Sequence, residues 1–177
     1  MNEVLKKYFE CYCDMWMKYR GTYPQISYDS EIDSRLYIGT KDEEEYIFWK
    51  PMVKNENTDF SKIEKEYGFN LNEEIKKYFN SYWFLELKGF IGEYSVVLEP
   101  VIPGMETDGF EAQLKGYFSS YQTLEYIPIG IETNTNSVIV IENETGKVYF
   151  HDLDCEKKEI IADSFGDFIS QISFIRK

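Results

Sequence analysis

A chain of 177 residues, 43% hydrophobic and 18% aromatic, has the apolar material for a core of its own and the length of one domain, residues 1–177. Lys and Arg total 19 against 32 Asp and Glu, a formal net charge of −13 at pH 7. Such a field repels phosphate backbones and anionic lipid headgroups and attracts basic proteins, so direct nucleic-acid binding is disfavoured. The same acidity also serves solubility alone.

The pattern predicts an opening amphipathic helix with Leu5, Tyr8, Phe9, Tyr12, Trp16 and Tyr19 at helical spacing, stopped by Gly21 and Pro24. A loop carrying Asp29, Glu31 and Asp33 leads to a short strand around Leu36–Ile38. The acidic run Asp42–Glu45 is a turn before a strand at Tyr46–Trp49, which Pro51 ends. Met52–Thr58 reads as a loop. A short helix carries Phe60, Ile63 and Tyr67 and closes at Gly68. Asn72 caps the next, whose stripe is Ile75, Tyr78, Phe79 and Tyr82.

The period then changes to that of strands. Trp83–Leu87 and Tyr94–Leu98 are expected to pair across a connection Lys88–Glu93 containing Gly89 and Gly92. Thr107 or Asp108 caps a helix with Phe110, Leu114, Tyr117 and Phe118 on one side. Strands at Tyr126–Glu132, Val138–Ile141 and Lys147–His151 complete the sheet, with a hairpin turn at Asn143–Gly146. Pro128 belongs in an edge strand or beside a bulge. A last helix starts at Ser164, where Asp167 completes a capping box, and buries Phe165, Phe168, Ile169 and Ile172. The fold class is α+β, a mainly antiparallel sheet flanked by helices.

Cys11, Cys13 and Cys155 do not form a disulfide framework. Met1–Lys18 has no uninterrupted apolar region of the signal-peptide kind, and no stretch approaches the roughly 18 apolar residues of a membrane span. A reduced, cytoplasmic protein is expected. His151 is the one histidine and is read as a structural or solvent-facing residue of an edge strand, so no histidine-based triad is expected. Cys11 and Cys13, two apart, diverge by about 200° around a helix and do not chelate; one is expected in the core and the other partly exposed. No phosphate loop, nucleotide fingerprint or EF-hand loop is present, and neither metal nor cofactor is expected. A carboxylate pair, and so a small hydrolase, stays open by inventory alone.

Several segments together resemble a known family. Tyr126–Ile127–Pro128–Ile129–Gly130, Val138–Ile141, Glu144–Thr145–Gly146–Lys147–Val148–Tyr149 and Ile161–Ile169 reproduce in order the strand, hairpin and helix of the SUKH superfamily. Tyr12–Trp16, Tyr23–Pro24 and Tyr46–Pro51 are similar to its Syd branch. The resemblance implies a SUKH/Syd-like fold and binding without catalysis. It implies either an immunity protein that neutralises a toxin, often a nuclease, or a factor that engages basic cytosolic loops of the SecY translocon through an acidic concave surface, reaching the membrane at most through that protein. Both partners are basic proteins.

The candidate binding residues are acids in loops, Asp29, Glu31, Asp33, Asp42, Glu43, Glu44, Glu45, Glu106 and Asp108. Tyr23 and Trp83 are added as hot-spot aromatics. The alternative for each is a solvated turn acid or a core ring.

Overall fold

The computed structural model describes residues 1–176. Helix α1 (Asn2–Arg20) buries Leu5, Tyr8, Phe9 and Tyr12 and ends where Gly21, at φ 69°, donates its N–H to the Met17 carbonyl. A small antiparallel sheet follows, formed by β1 (Gln25–Ser27), β2 (Tyr37–Ile38) and β3 (Tyr46–Trp49) in the order β1-β3-β2, with a 3₁₀ turn at Ser34–Leu36 leading into β2. Next, β4 (Met52–Val53), α2 (Ser61–Tyr67), α3 (Glu73–Phe79) and β5 (Tyr82–Trp83) form one unit, because β4 and β5 pair antiparallel.

The main sheet has six strands: β6 (Leu87–Ile91), β7 (Tyr94–Leu98), β8 (Tyr126–Glu132), β9 (Val138–Glu142), β10 (Val148–Asp152) and β11 (Lys157–Ala162). Each pairs antiparallel with the next in the chain. Helix α4 (Asp108–Tyr121) is inserted between β7 and β8 without disturbing that order, and α5 (Phe165–Gln171) follows β11. The sheet curls strongly. Tyr94 on β7 and Phe150 on β10 bring their ring centroids to 5.0 Å, where three strand spacings in a flat sheet would hold them roughly 14 Å apart.

Both faces of the sheet are covered. Ile139, Val140 and Ile141 are consecutive and all fully buried, and consecutive strand residues point to opposite faces. Helix α4 covers one face, where the Tyr117 hydroxyl lies 2.9 Å from His151 Nδ1. Helix α5 packs on α1 and α3. Its N-terminus is doubly held: Ser164 Oγ accepts the Asp167 N–H (3.1 Å) and donates to Asp167 Oδ2 (2.7 Å), while Glu74 of α3 accepts the Phe165 N–H at 2.6 Å. The Ser164 half of the predicted capping box is therefore present, Asp167 takes the Ser164 hydroxyl, and a second carboxylate is added from another helix.

Several expectations are corrected. Gly89 is not a turn residue but lies within β6. A Cβ there would meet Ile172 Cγ2 at 2.5 Å and the Ser173 carbonyl oxygen at 2.6 Å, so glycine serves the approach of the chain after α5, which bridges to Phe90. The turn is made at Gly92, φ 60°. Met52–Val53 is a strand rather than a loop, and Tyr82 belongs to β5, since α3 ends at Phe79. Strand β11 is additional to the expected strands: Lys157–Ile160 are all exposed and carry no alternation. It makes β10 an interior strand, so His151 is fully buried rather than at an edge. Pro128 takes the second of its two expected places, beside a bulge, in what is an interior strand. Neither Cys11 nor Cys13 is in the core; Cys11 is exposed and Cys13 half-buried.

Two consequences are measurable. Gly89→Ala is expected to cost about 1–3 kcal/mol through overpacking, while Gly116→Ala, in α4 with nothing within 4 Å of the added Cβ, gains roughly 0.5–1 kcal/mol. Urea unfolding that found the two alike would refute this packing. Burial, reinforced by Lys158, holds the His151 imidazole below its ordinary range. The unfolded chain thus binds the proton first, and stability falls as pH drops through about 6.5. The slope between pH 7 and 5 should flatten in His151→Gln; an unchanged slope would remove His151 from the account.

Candidate functional site

Asp29, Glu31 and Asp42–Glu45 lie at one end of the small sheet, where Ser27 pairs with Tyr46. Asp42 organises its own turn: Oδ1 accepts the N–H groups of Glu44 (3.0 Å) and Tyr46 (2.8 Å), and Oδ2 accepts from Gln25 Nε2 (3.0 Å). Asp29 likewise accepts the Glu31 N–H at 2.9 Å. The two acidic segments touch, because Tyr28 donates its N–H to the Glu45 carbonyl at 2.7 Å and packs its ring at a tilt against Tyr37, whose hydroxyl meets the Asp29 backbone. Glu31, Glu43 and Glu44 are exposed beside them.

Four residues beyond Asp29 the chain enters a polar cleft of about 500 Å³, lined by Asp33, Arg35, Lys54, Glu56, Asp59 and Glu106 among others. Asp33 caps the 3₁₀ turn by accepting the Arg35 N–H at 2.9 Å, and its Oδ2 takes the Arg35 side chain at 2.8 Å. These bonds from Arg35 hold the Asp33 carboxyl below the usual carboxylate range. Leu36, fully buried, anchors the turn from below.

Lys54 follows β4 and is 1% exposed along its side chain. The β4–β5 ribbon aims it at the end of α3, where Nζ donates to the Phe79 carbonyl (3.2 Å) and to Thr58 Oγ1. A helix C-terminus offers just such free carbonyls to a cation. Glu106 Oε1 lies 3.8 Å from the ammonium. Burial pulls Lys54 below the ordinary lysine range, while Glu106 and Glu56 pull the other way. Glu106 is brought here by the segment after β7, which Phe84 and Val101 clip to the chain after β5 through a pair of backbone hydrogen bonds. Trp83 floors the region, 5% exposed, with the Arg35 guanidinium 4.8 Å and the Lys54 ammonium 5.7 Å from its ring.

Of the sequence candidates, Asp33 and Glu106 line this cleft, and Trp83 lies beneath its two cations. Asp29, Glu31 and Asp42–Glu45 form a separate acidic shoulder at the start of β3, with Asp29 four residues of chain from Asp33. Asp108 is exposed in the first turn of α4, two residues after Glu106. Tyr23 stands apart, at the opposite end of β1 near Lys50, Pro51 and Tyr82. Trp83 is a covered floor rather than an exposed anchor, because two cations lie over it. Sequence reasoning missed Arg35, Lys54, Glu56 and Asp59; scattered charged residues in and beside loops carry no periodic signal.

With this geometry in view, the chain matches the family described as Syd protein (SUKH-2) over residues 2–173. It belongs to the Syd (SUKH-2) family. Relatives named Protein Syd include one from Alteromonas mediterranea, 25% identical over 157 residues that cover 87% of each chain. Another, from Shewanella denitrificans, is 24% identical over 97% of this chain and 81% of its own. A third, from Colwellia psychrerythraea, is 20% identical over 98% and 92%. The Syd-family match spans both halves of the fold, including the acidic shoulder and the cleft. No helix among the described residues is long and apolar enough to cross a membrane.

Lys54 is the structural tie of this site. Lys54→Met removes two hydrogen bonds from a buried donor and leaves Glu106 without its cation, an expected loss of about 1–3 kcal/mol. Hydrogen exchange should quicken in residues 54–60 more than in β8–β10; uniform protection equal to the parent would show that the tie is dispensable.

Proposed function

We propose that this chain is a non-enzymatic, cytoplasmic Syd-type binding protein that grips a basic segment of a partner. The supporting observation is an acidic shoulder at Asp42–Glu45, Asp29 and Glu31 in the same chain segment as a polar cleft whose two cations lie on Trp83. Carboxylates on the shoulder raise the encounter rate of a basic chain, and the cleft gives it a place to stop. Basic cytosolic loops of the SecY translocon are the partner that the Syd resemblance implies, with membrane association arising only through that protein. Membership of the SUKH group supports a second reading, in which the same surface blocks a basic toxin domain as an immunity protein. Neither reading needs a reacting group, a metal or a cofactor.

The structure makes a clean test available. Asp42 builds its turn and Glu45 pairs with Lys41, so the charges to reverse are Glu31, Glu43 and Glu44, whose exposed side chains support nothing else. The triple lysine variant is expected to keep its stability within about 0.5 kcal/mol. Its association with SecY cytosolic-loop peptides should slow about tenfold or more at low ionic strength. Stopped-flow rates equal to the parent would sink the shoulder's role. Tight capture of a cognate toxin domain in place of SecY loops would move the protein to the second reading.

A further inference from the structure

Two cations cover Trp83, and they are held in different ways. Lys54 is fixed by Thr58, the Phe79 carbonyl and Glu106, and its side chain is 1% exposed. Arg35 is 45% exposed along its side chain, and Asp33 is its ion-pair partner. It lies on the indole with the planar group 4.8 Å from the ring centroid, and Nε and Nη2 both reach Asp33 Oδ2 at 2.8 Å. The buried Trp83 Nε1 has no hydrogen-bond partner among the described residues. Lys54 therefore belongs to the scaffold, while Arg35 resembles a ligand lying in a site: solvent on one side, ring below, carboxylate at its edge.

A seat of this kind discriminates. A guanidinium stacks flat on an indole and presents a fork to a carboxylate, whereas an ammonium is a compact, strongly hydrated point charge. Asp33 and Glu106 line the same cleft, with Glu56 and Asp59 adding negative charge. An incoming arginine would find there the ring and carboxylate that Arg35 now uses. We infer that the face of Trp83 beside Asp33 is an arginine-binding subsite, and that Arg35 fills it in the free protein as an internal stand-in which a partner's arginine displaces. This deepens the binding reading above and rests on it. It specifies the partner segment as one carrying arginine rather than lysine at the anchoring position, and it makes Arg35 a built-in competitor.

The test titrates the intact protein with an arginine hexapeptide and a lysine hexapeptide, followed by calorimetry and tryptophan fluorescence. Arg35→Gln removes the stand-in. Lys62→Gln makes the same change of charge near the cleft, at a side chain 80% exposed and paired with Glu111. The parent should prefer the arginine peptide. Arg35→Gln should bind that peptide about tenfold more tightly, and Lys62→Gln no more than about threefold. Arg35→Lys, which keeps the charge but loses the fork, should fall between parent and Arg35→Gln and serves if the glutamine variant folds poorly. Equal tightening in the two glutamine variants would reduce Arg35 to a charge and overturn the seat while leaving the binding reading intact. Weaker binding in Arg35→Gln would overturn it by making Arg35 part of the scaffold. Failure of parent and variants to bind either peptide, together with failure to bind SecY-loop peptides, would bring down both readings.

Discussion

A fully buried phenol must find an acceptor for its hydroxyl, and Tyr78 finds one in the Glu99 backbone carbonyl at 2.6 Å. Its ring meets Phe165 of α5 at 5.0 Å, Phe79 at 5.3 Å and Phe84 at 5.7 Å. One side chain thus fixes α3 against α5, against the chain after β5, and against the end of β7. The walls of the cleft are referenced to those same places. Lys54 bonds to the carbonyl of Phe79, the next residue, and the Thr58 N–H bonds to Asn80 Oδ1 at 2.7 Å. The opposite wall, Pro103–Glu106, begins a few residues after Glu99. A shift of Tyr78 would move both walls, so the core beneath the cleft sets where its walls stand.

The acidic shoulder shows how one carboxylate serves both fold and field. Asp42 and Asp29 accept backbone N–H groups and so fix the turns that carry them. Accepting an N–H does not neutralise a carboxylate, so the same charges still contribute to the field that a distant partner meets. Turn formation and electrostatic attraction are therefore not competing explanations for these residues. They differ only in which atoms sense them: neighbouring amides in the first case, a basic chain several ångströms away in the second. Glu132 makes the contrast. It is fully buried, and although burial pushes its pKa up, bonds from Thr135, Asn134 and Ser95 hold it below the usual carboxylate range. Its charge is consumed locally, by the β8–β9 turn.

The parts of the fold that sequence made legible are those where a local rule and the tertiary structure agree. Ser164 with Asp167, Asn72, Gly21 and Gly68 mark helix ends through chemistry that acts within four residues. The interior strands β8, β9 and β10 announce themselves as apolar runs because both of their faces are buried. The remaining features depend on distant partners. Gly89 looks like a turn residue until Ser173 is known to lie against it. Strand β11 has no apolar stripe because its exposed residues contribute backbone to the edge rather than side chains to the core. At the site, the acids were visible individually, and Asp33 and Glu106 were among them, but their meeting depends on the β4–β5 ribbon and the Phe84–Val101 clip, both set by long-range pairing. Burial of Lys54 has no local signature at all.

The shoulder and the cleft act over different distances, and this separates what they contribute. Exposed carboxylates at Glu31, Glu43 and Glu44 are felt through solvent and are screened within a Debye length of about 8 Å at physiological salt. They govern approach more than retention. Around Trp83 the charges are in contact with a ring and with one another, and salt screens such a partly buried arrangement far less. A partner held only by the shoulder would leave as soon as ionic strength rose, and one that engages the Trp83 seat would stay. In the free protein that seat is already neutralised by Arg35, so an isolated basic side chain gains little by entering. A segment long enough to be gathered by the shoulder arrives with an effective concentration that lets its arginine compete with Arg35. The internal cation thereby converts a general attraction for positive charge into a requirement for an extended segment with an arginine at one position.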